Sequence, residues 1–402
     1  MADVMNYIDR LVAELCPDGV EYRPLGEVVE YAKKREKDGT GVHLYVGVEN
    51  LKSDFLGCSP VNGSKGGIIF QKDDILLGNI RPYLKKMWLS NAEGVSSPDV
   101  LVLRIQENEE ENIVAKYLYY ILSSSKFVAY NISHSRGGKM PRGNKAKILE
   151  FEFPAPPMEI QEAIVEILDK FTNLEAELEA ELEARTLQYE YYRDSLFEAL
   201  DCPRVPLGSL GTFVRGNGLQ KKDLQESGNP VIHYGQVFTR YGLHEDKTLS
   251  YANDEVYDKL RKAEKGNLVI ATTSENDEDV CKALAWLGET PAGISGDAYI
   301  YRHEMNPKYV SYFFTTHDFQ RQKLRHITGT KVRRVSGKNL ETIEIPLPSL
   351  EEQQRIVDIL DRFDTLTTSL SEGLPAELAA RRSQYEYYRD QLLSFPRKGE
   401  NQ

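Results

Sequence analysis

The chain has 402 residues, 41% apolar and 28% charged, with 50 Lys and Arg against 62 Asp and Glu and a formal net charge of −12. That length holds two or three domains with cores of their own, and the composition excludes a disordered chain. No run approaches the roughly 20 apolar residues that cross a bilayer. Cys16, Cys58, Cys202 and Cys281 form no Cys-x-x-Cys pair and give no zinc signature. With no basic-then-apolar start of a secretory signal, the expected location is the cytoplasm.

An acidic average argues against a nucleic-acid partner, but the charge is segregated. No acidic residue falls between Glu111 and Glu150, where Lys116, Lys126, Arg136, Lys139, Arg142, Lys145 and Lys147 lie. The same holds between Asp318 and Glu341, with Arg321, Lys323, Arg325, Lys331, Arg333, Arg334 and Lys338. The acid gathers elsewhere, notably from Glu159 to Glu183, where Lys170 is the one cation. Two basic sites joined by an acidic connector is the expected plan.

Residues 1–20 come first. Tyr7, Asp9, Leu11 and Leu15 repeat the spacing of Tyr192, Asp194, Leu196 and Leu200. The segment reads as the tail of a repeated helix set before the first globular unit, so it is expected to pack beside the end of the C-terminal helix.

Residues 21–157 read as a mixed strand and helix unit, with strand character over Gly66 to Leu77 and a helix over Ile113 to Tyr130. Its basic loop Gly137-Gly138-Lys139-Met140-Pro141-Arg142 stands just before the last strand. Glycine lets backbone approach a phosphate, Lys neutralises it, and Arg also grips guanine edges. Arg81, Lys85 and Lys86 add a second basic loop. Tyr117, Tyr119 and Tyr120, at helical spacing, are expected in the core.

Residues 158–200 form the central connector. Ile164, Leu168, Phe171, Leu174, Leu178 and Leu182 step by threes and fours, one apolar stripe of an amphipathic or coiled-coil helix. The Pro154 to Pro157 stretch stops the preceding strand and opens that helix. Leu-Glu-Ala-Glu tetrapeptides begin at Leu174 and Leu178, and Leu182-Glu183-Ala184-Arg185 follows them.

Residues 201–349 repeat the first unit, and 350–402 repeat the connector. Gln188-Tyr189-Glu190-Tyr191-Tyr192-Arg193-Asp194 returns intact from Gln384 to Asp390. Pro154, Gln161, Ile164, Leu168, Asp169 and Phe171 meet Pro346, Gln353, Ile356, Leu360, Asp361 and Phe363 without a gap. Such self-similarity is the signature of a duplicated architecture. The second basic loop, Gly329-Thr330-Lys331-Val332-Arg333-Arg334, aligns with the first. A helix is expected over Pro307 to Leu324. Where the first unit has Arg81 to Lys86, the second has Thr272-Thr273-Ser274-Glu275-Asn276, as two readers of different sequences require. The second stripe runs Ile356, Leu360, Phe363, Leu366 and Leu370, and Gly373 with Pro375 predicts a break and a fresh helix start. The expected fold is α+β: two globular α/β units separated by two long antiparallel helices that form a coiled-coil spacer, with a pseudo-twofold internal repeat.

Catalytic signatures are missing. There is no Asp/Asn/Ser-Pro-Pro-Tyr motif for amino methylation, no Gly-x-x-x-x-Gly-Lys-Ser/Thr loop, no metal-nuclease carboxylate set after Asp18 or Asp99, and no histidine metal pair. No residue is assigned a catalytic or metal-binding role, and the sequence favours a binder.

The duplicated frame, the Pro-Pro helix openings, the Leu-Glu-Ala-Glu array and the Gln-Tyr-x-Tyr-Tyr-Arg-Asp helix ends resemble type I restriction–modification specificity subunits over essentially the whole chain. The resemblance implies two target-recognition domains, each reading half of a split, asymmetric double-stranded DNA site. It implies spacer helices that set the gap and dock two methyltransferase subunits, with a restriction subunit joining through the complex. S-adenosylmethionine, ATP and Mg2+ belong on this reading to the partners, and this chain carries no cofactor. The Gly373/Pro375 interruption departs from the family pattern. Three other readings compete: a fused enzyme with its own methylase, which the missing motifs disfavour; an orphan specificity subunit; and a coiled-coil scaffold, which leaves the repeated basic loops unexplained.

Overall fold

A computed structural model describes residues 2–39, 41–368 and 373–399. The chain divides into two compact units, residues 1–179 with 378–402, and residues 180–377. A single helix, Met158–Glu198, gives its first half to one unit and its second half to the other.

In the first unit, Val29–Tyr31, Val100–Ile105, Ile75–Gly78 and Met87–Leu89 form an antiparallel sheet. All four residues of Ile75–Gly78 are buried, as befits an inner strand. A second sheet runs Arg35–Glu36, Gly67–Phe70, Gly94–Ser96, His43–Val46, Val61–Gly63. Tyr22–Pro24 pairs with Glu152–Pro154 and closes the unit where the connector begins.

The second unit repeats this frame. Gly211–Arg215, Ala298–His303, Leu268–Ala271 and Lys282–Trp286 pair in the corresponding order, with His244–Glu245 added in parallel at the edge. Ser250–Ala252, Asn229–Ile232, Ala292–Ile294 and Lys262–Ala263 form the other sheet. Arg204–Pro206 pairs with Glu344–Pro346, as Tyr22–Pro24 does with its partner.

The helices expected over Ile113 to Tyr130 and over Pro307 to Leu324 are each two. Ala115–Ser123 is followed by Ser125–Ser133, and Pro307–Phe313 by His317–Leu324. The joints are N-caps: the Ser124 and Thr316 hydroxyls accept from the Phe127 and Phe319 amides at 3.3 and 3.2 Å. Carboxylates from the repeated helix ends add a second cap. Asp390 accepts from the Ser125 amide at 3.2 Å, and Asp194 from the His317 amide at 2.8 Å. A hydrophobic period runs through such a joint unbroken, so the pattern alone conceals it.

The hydroxyls of Tyr117 and Tyr309, both buried, donate to the Pro154 and Pro346 carbonyls at 3.0 and 2.8 Å. Those of Tyr120 and Tyr312 donate to Asp169 and Asp361, which also pair with Lys116 and Lys308 at 2.8 and 2.7 Å. Burial pushes all four phenols upward, so they stay neutral donors. Of the three tyrosines expected in the core, Tyr117 and Tyr120 are buried and Tyr119 is half-buried.

The apolar stripes hold in part. Ile164 and Leu168 are fully buried, Phe171 stacks on Tyr388 at 5.8 Å, and Leu178 is half-buried, but Leu174 is 49% exposed. Beyond Phe171 the facing helix offers Arg382 to Glu175 and Glu179 instead of an apolar side chain to the stripe. Along this stretch Glu175 meets Arg382 at 2.5 Å, and Phe171 meets Tyr385 and Tyr388, so Met158–Glu198 and Leu374–Leu392 run antiparallel within the first unit. In the second unit Ile356 and Leu360 are fully buried, Leu182 and Leu366 are half-buried, and Phe363 lies on Tyr189 and Tyr192. Leu370 lies outside the described residues. Helix Leu350–Thr368 ends before Gly373, whose φ of +83° suits glycine, and Leu374–Leu392 starts anew with Pro375 in its first turn.

The N-terminal helix Ala2–Leu15 belongs to the first unit together with the C-terminal residues. Ile8 shares a buried cluster with Leu392, Leu393 and Phe395. The Val20 amide donates to the Pro396 carbonyl and the Lys398 amide to that of Val20, both at 2.9 Å.

His303, beside the Tyr301 ring at 4.8 Å, supplies a pH prediction. Burial outweighs its Met305 backbone contact and pushes the imidazole down to about 4. Its folded value lies below the unfolded one. The unfolded chain therefore binds more protons between pH 6.5 and about 4. Stability present above that window is lost as pH falls through it, by about 2 kcal/mol between pH 7 and pH 5. Urea titrations at the two pH values are expected to show that difference between wild type and His303→Phe, and equal pH slopes for the two proteins would refute it.

Candidate nucleic-acid interface

The two basic loops fold alike because each has glycine where the backbone turns left-handed. In the first unit the Arg136 amide donates to the Arg142 carbonyl at 2.9 Å and the Arg142 amide returns the bond at 2.8 Å, with Gly137 at φ +105°. In the second, Thr328 and Arg334 exchange the same two bonds at 2.9 Å, with Gly329 at φ +90°. A Cβ on Gly329 would stand 2.1 Å from the Val332 carbonyl oxygen, so no other residue closes that turn without a shift. Each hairpin pairs with a neighbouring loop: Ile80 bridges Arg142, and Thr273 and Ser274 pair with Arg334 and Arg333.

The hairpins hold Arg136, Lys139, Lys331 and Arg334 exposed, and none of these has an acidic partner among the described residues. Lys145, Arg325 and Lys338 are exposed nearby in sequence. Other expected cations are engaged. Arg142 faces Asp99 at 3.5 Å, Lys85 faces Asp54 at 3.5 Å, and Arg321 pairs with Asp318 at 2.8 Å. Arg333 pairs with Asp277 at 2.7 Å, and Lys147 pairs with Glu150. Such exposed pairs are weak and can open to a phosphate. Lys86 is more firmly held, its ammonium donating to the Val48 carbonyl at 2.8 Å. Arg81 is half-buried, with a left-handed backbone (φ +58°) and its amide bonded to the Pro141 carbonyl at 2.8 Å.

Lys323 is corrected outright. It is 1% exposed, and its ammonium donates to the carbonyls of Glu278 and Val280 at 3.0 and 2.9 Å. Burial pulls this ammonium below the usual lysine range. It cannot reach a phosphate. It is a strut under the 272–281 loop, and a count of cations along the chain has no means of seeing that. The count also passed over Tyr83, 50% exposed beside Arg81, and Glu275, exposed beside the second hairpin.

Tyr191 and Tyr387, at equivalent positions of the connectors, are both exposed. Tyr191 is 69% and Tyr387 61% exposed, while Tyr189 is buried and Tyr385 half-buried. Among the described residues no group of His, Cys, Asp and Glu could hold a metal ion, and no helix is long and apolar enough to cross a membrane.

Each copy of the duplicated frame presents a glycine-closed basic hairpin, and the two copies are joined through one long helix. The family described as "Type I restriction modification DNA specificity domain" matches twice, over residues 17–184 and 203–380. The Escherichia coli EcoR124I/EcoR124II specificity subunit is 30% identical over 98% of this chain and 98% of its own length. A putative type I restriction enzyme specificity subunit of Haemophilus influenzae is 28% identical over 94% and 96%. A solved chain from work on assembly and conformational transition of the type I R-M system has a TM-score of 0.64 at 17% identity, covering 93% of this chain and 97% of that one. The chain belongs to the type I restriction–modification specificity subunits. This family supplies DNA specificity within a larger complex and is not its catalytic component.

Proposed function

We propose that the globular parts, residues 21–157 and 201–349, are target-recognition domains that read the two halves of one split, asymmetric DNA site. The connectors, residues 158–200 and 350–402 with the 1–20 segment, dock two methyltransferase subunits and, through the complex, a restriction subunit. Those cytoplasmic partners supply S-adenosylmethionine, ATP and Mg2+. One observation carries this reading: the same basic hairpin recurs in both units while the loop paired with it differs completely. Phosphate contacts from the hairpins fix register, and loop side chains read base edges.

Co-expression with a type I methyltransferase subunit, followed by genome-wide mapping of adenine methylation, is expected to return one split motif with a fixed gap. A palindromic motif, or none, would overturn the reading. The helix also serves as a ruler. One further Leu-Glu-Ala-Glu unit after Leu182 adds four residues, about 6 Å, so the recognised gap grows by one to two base pairs. An unchanged gap with methylation intact would refute the ruler.

A further inference from the structure

The loops beside the two basic hairpins carry opposite chemistry. In the first unit the loop is closed by the Gly78 amide bonded to the Lys86 carbonyl at 2.9 Å, and it presents Arg81, Tyr83 and Lys85. In the second it is closed by the Cys281 amide bonded to the Ala271 carbonyl at 2.8 Å, and it runs Ser274-Glu275-Asn276-Asp277-Glu278-Asp279.

Two of those four acids are already engaged through their side chains. Asp277 holds Arg333 at 2.7 Å. Asp279 accepts from the Asn276 side chain at 2.7 Å, and its amide donates back to that side chain at 2.7 Å. Glu278 gives its backbone carbonyl to the Lys323 ammonium, as Val280 does, while its side chain is exposed. Glu275 is exposed and has no partner among the described residues. It directly follows Ser274, which pairs with Arg333. Of the two exposed carboxylates without an ion pair or side-chain hydrogen bond among the described residues, Glu275 and Glu278, Glu275 is therefore the one next to the basic hairpin.

Beside duplex DNA a lone carboxylate is repelled by every phosphate and gains only where it meets a donor. In the major groove the base donors are amino groups, and a glutamate accepts from cytosine N4. We propose that Glu275 reads a cytosine in the half-site of the second unit, with Lys323 as the positioning residue that holds its loop. This rests on the DNA-reading function proposed above.

The test is the methylated motif of the co-expressed complex carrying Glu275→Ala or Glu275→Gln. In wild type one position of the second half-site is cytosine. Glu275→Ala relaxes that position alone, with a roughly 10- to 100-fold loss of discrimination. Glu275→Gln shifts it toward adenine, whose N6 and N7 suit an amide. Lys323→Met, which shortens the strut but keeps an apolar stem, blurs the same position and leaves the first half-site sharp. An unaltered motif in Glu275→Ala, uniformly weaker methylation with the same motif, or relaxation at a base other than cytosine would each overturn the inference while the DNA-reading function stands. A wild-type complex without a split motif would overturn both.

Discussion

Changing Lys331, Arg333 and Arg334 together to alanine is expected to abolish methylation at the split site while the protein stays folded. Lys331 and Arg334 are exposed and have no acidic partner among the described residues, so removing them costs the fold little. Arg333 is half-buried against Asp277, and its loss leaves a carboxylate that water can still reach. Three fewer cations at the DNA face lower the slope of log K against log salt by roughly 2 to 3, and affinity at physiological salt falls by orders of magnitude. The equivalent triple change at Arg136, Lys139 and Arg142 is expected to do the same through the other half-site, because both halves are needed for one motif. Binding to duplexes in which only one half-site is intact separates the two cases. If the Lys331/Arg333/Arg334 variant still favours an intact second half-site as wild type does, that hairpin is not the reader's anchor.

The largest loss of stability is expected from Gln161→Leu. Gln161 is 0% exposed, and its side chain makes three bonds where the connector leaves the sheet domain. Its oxygen accepts from the Val114 amide at 3.0 Å, and its nitrogen donates to the Asn112 and Pro156 carbonyls at 2.8 and 2.7 Å. Leucine has similar volume but satisfies none of these backbone groups. Buried groups left unpaired cost about 1–3 kcal/mol each, so a loss of roughly 3–5 kcal/mol follows. Gln353 repeats the arrangement, accepting from the Asn306 amide at 2.9 Å and donating to the Pro348 carbonyl at 3.0 Å. Gln353→Leu is expected to weaken the second unit by a similar though smaller amount. Calorimetric melting of both variants checks this, and a loss below about 1 kcal/mol in Gln161→Leu would show that the glutamine is not the strut.

Gln161 and Gln353 also show how far the sequence reaches. Their identity at matching places in the repeat is visible from the letters alone, as are those of Asp169 with Asp361 and of Tyr189 with Tyr385. Repetition marks a position as constrained without saying by what. The tertiary structure supplies the partner: a backbone amide for Gln161, a tyrosine and a lysine for Asp169, a phenylalanine for each repeated tyrosine.

By itself the sequence determined the duplication, the two mixed α/β frames, the long connectors, the break before Pro375 and the two glycine-closed basic loops. These features follow from local rules: hydrophobic period, proline and glycine stereochemistry, and the order of charges along the chain. It did not determine which cations face solvent. Lys323 and Lys331 are alike as letters, yet one is a buried strut and the other an exposed cation, because distant carbonyls at Glu278 and Val280 close over the first. It also could not break the helices at Ser124 and Thr316, where carboxylates from the connector ends, Asp390 and Asp194, complete the caps. Leu174 belongs to an apolar stripe and still meets water, since a stripe is buried only where another element lies on it. Burial and capping depend on contacts between residues far apart in the chain, and those contacts exist only once the chain has folded.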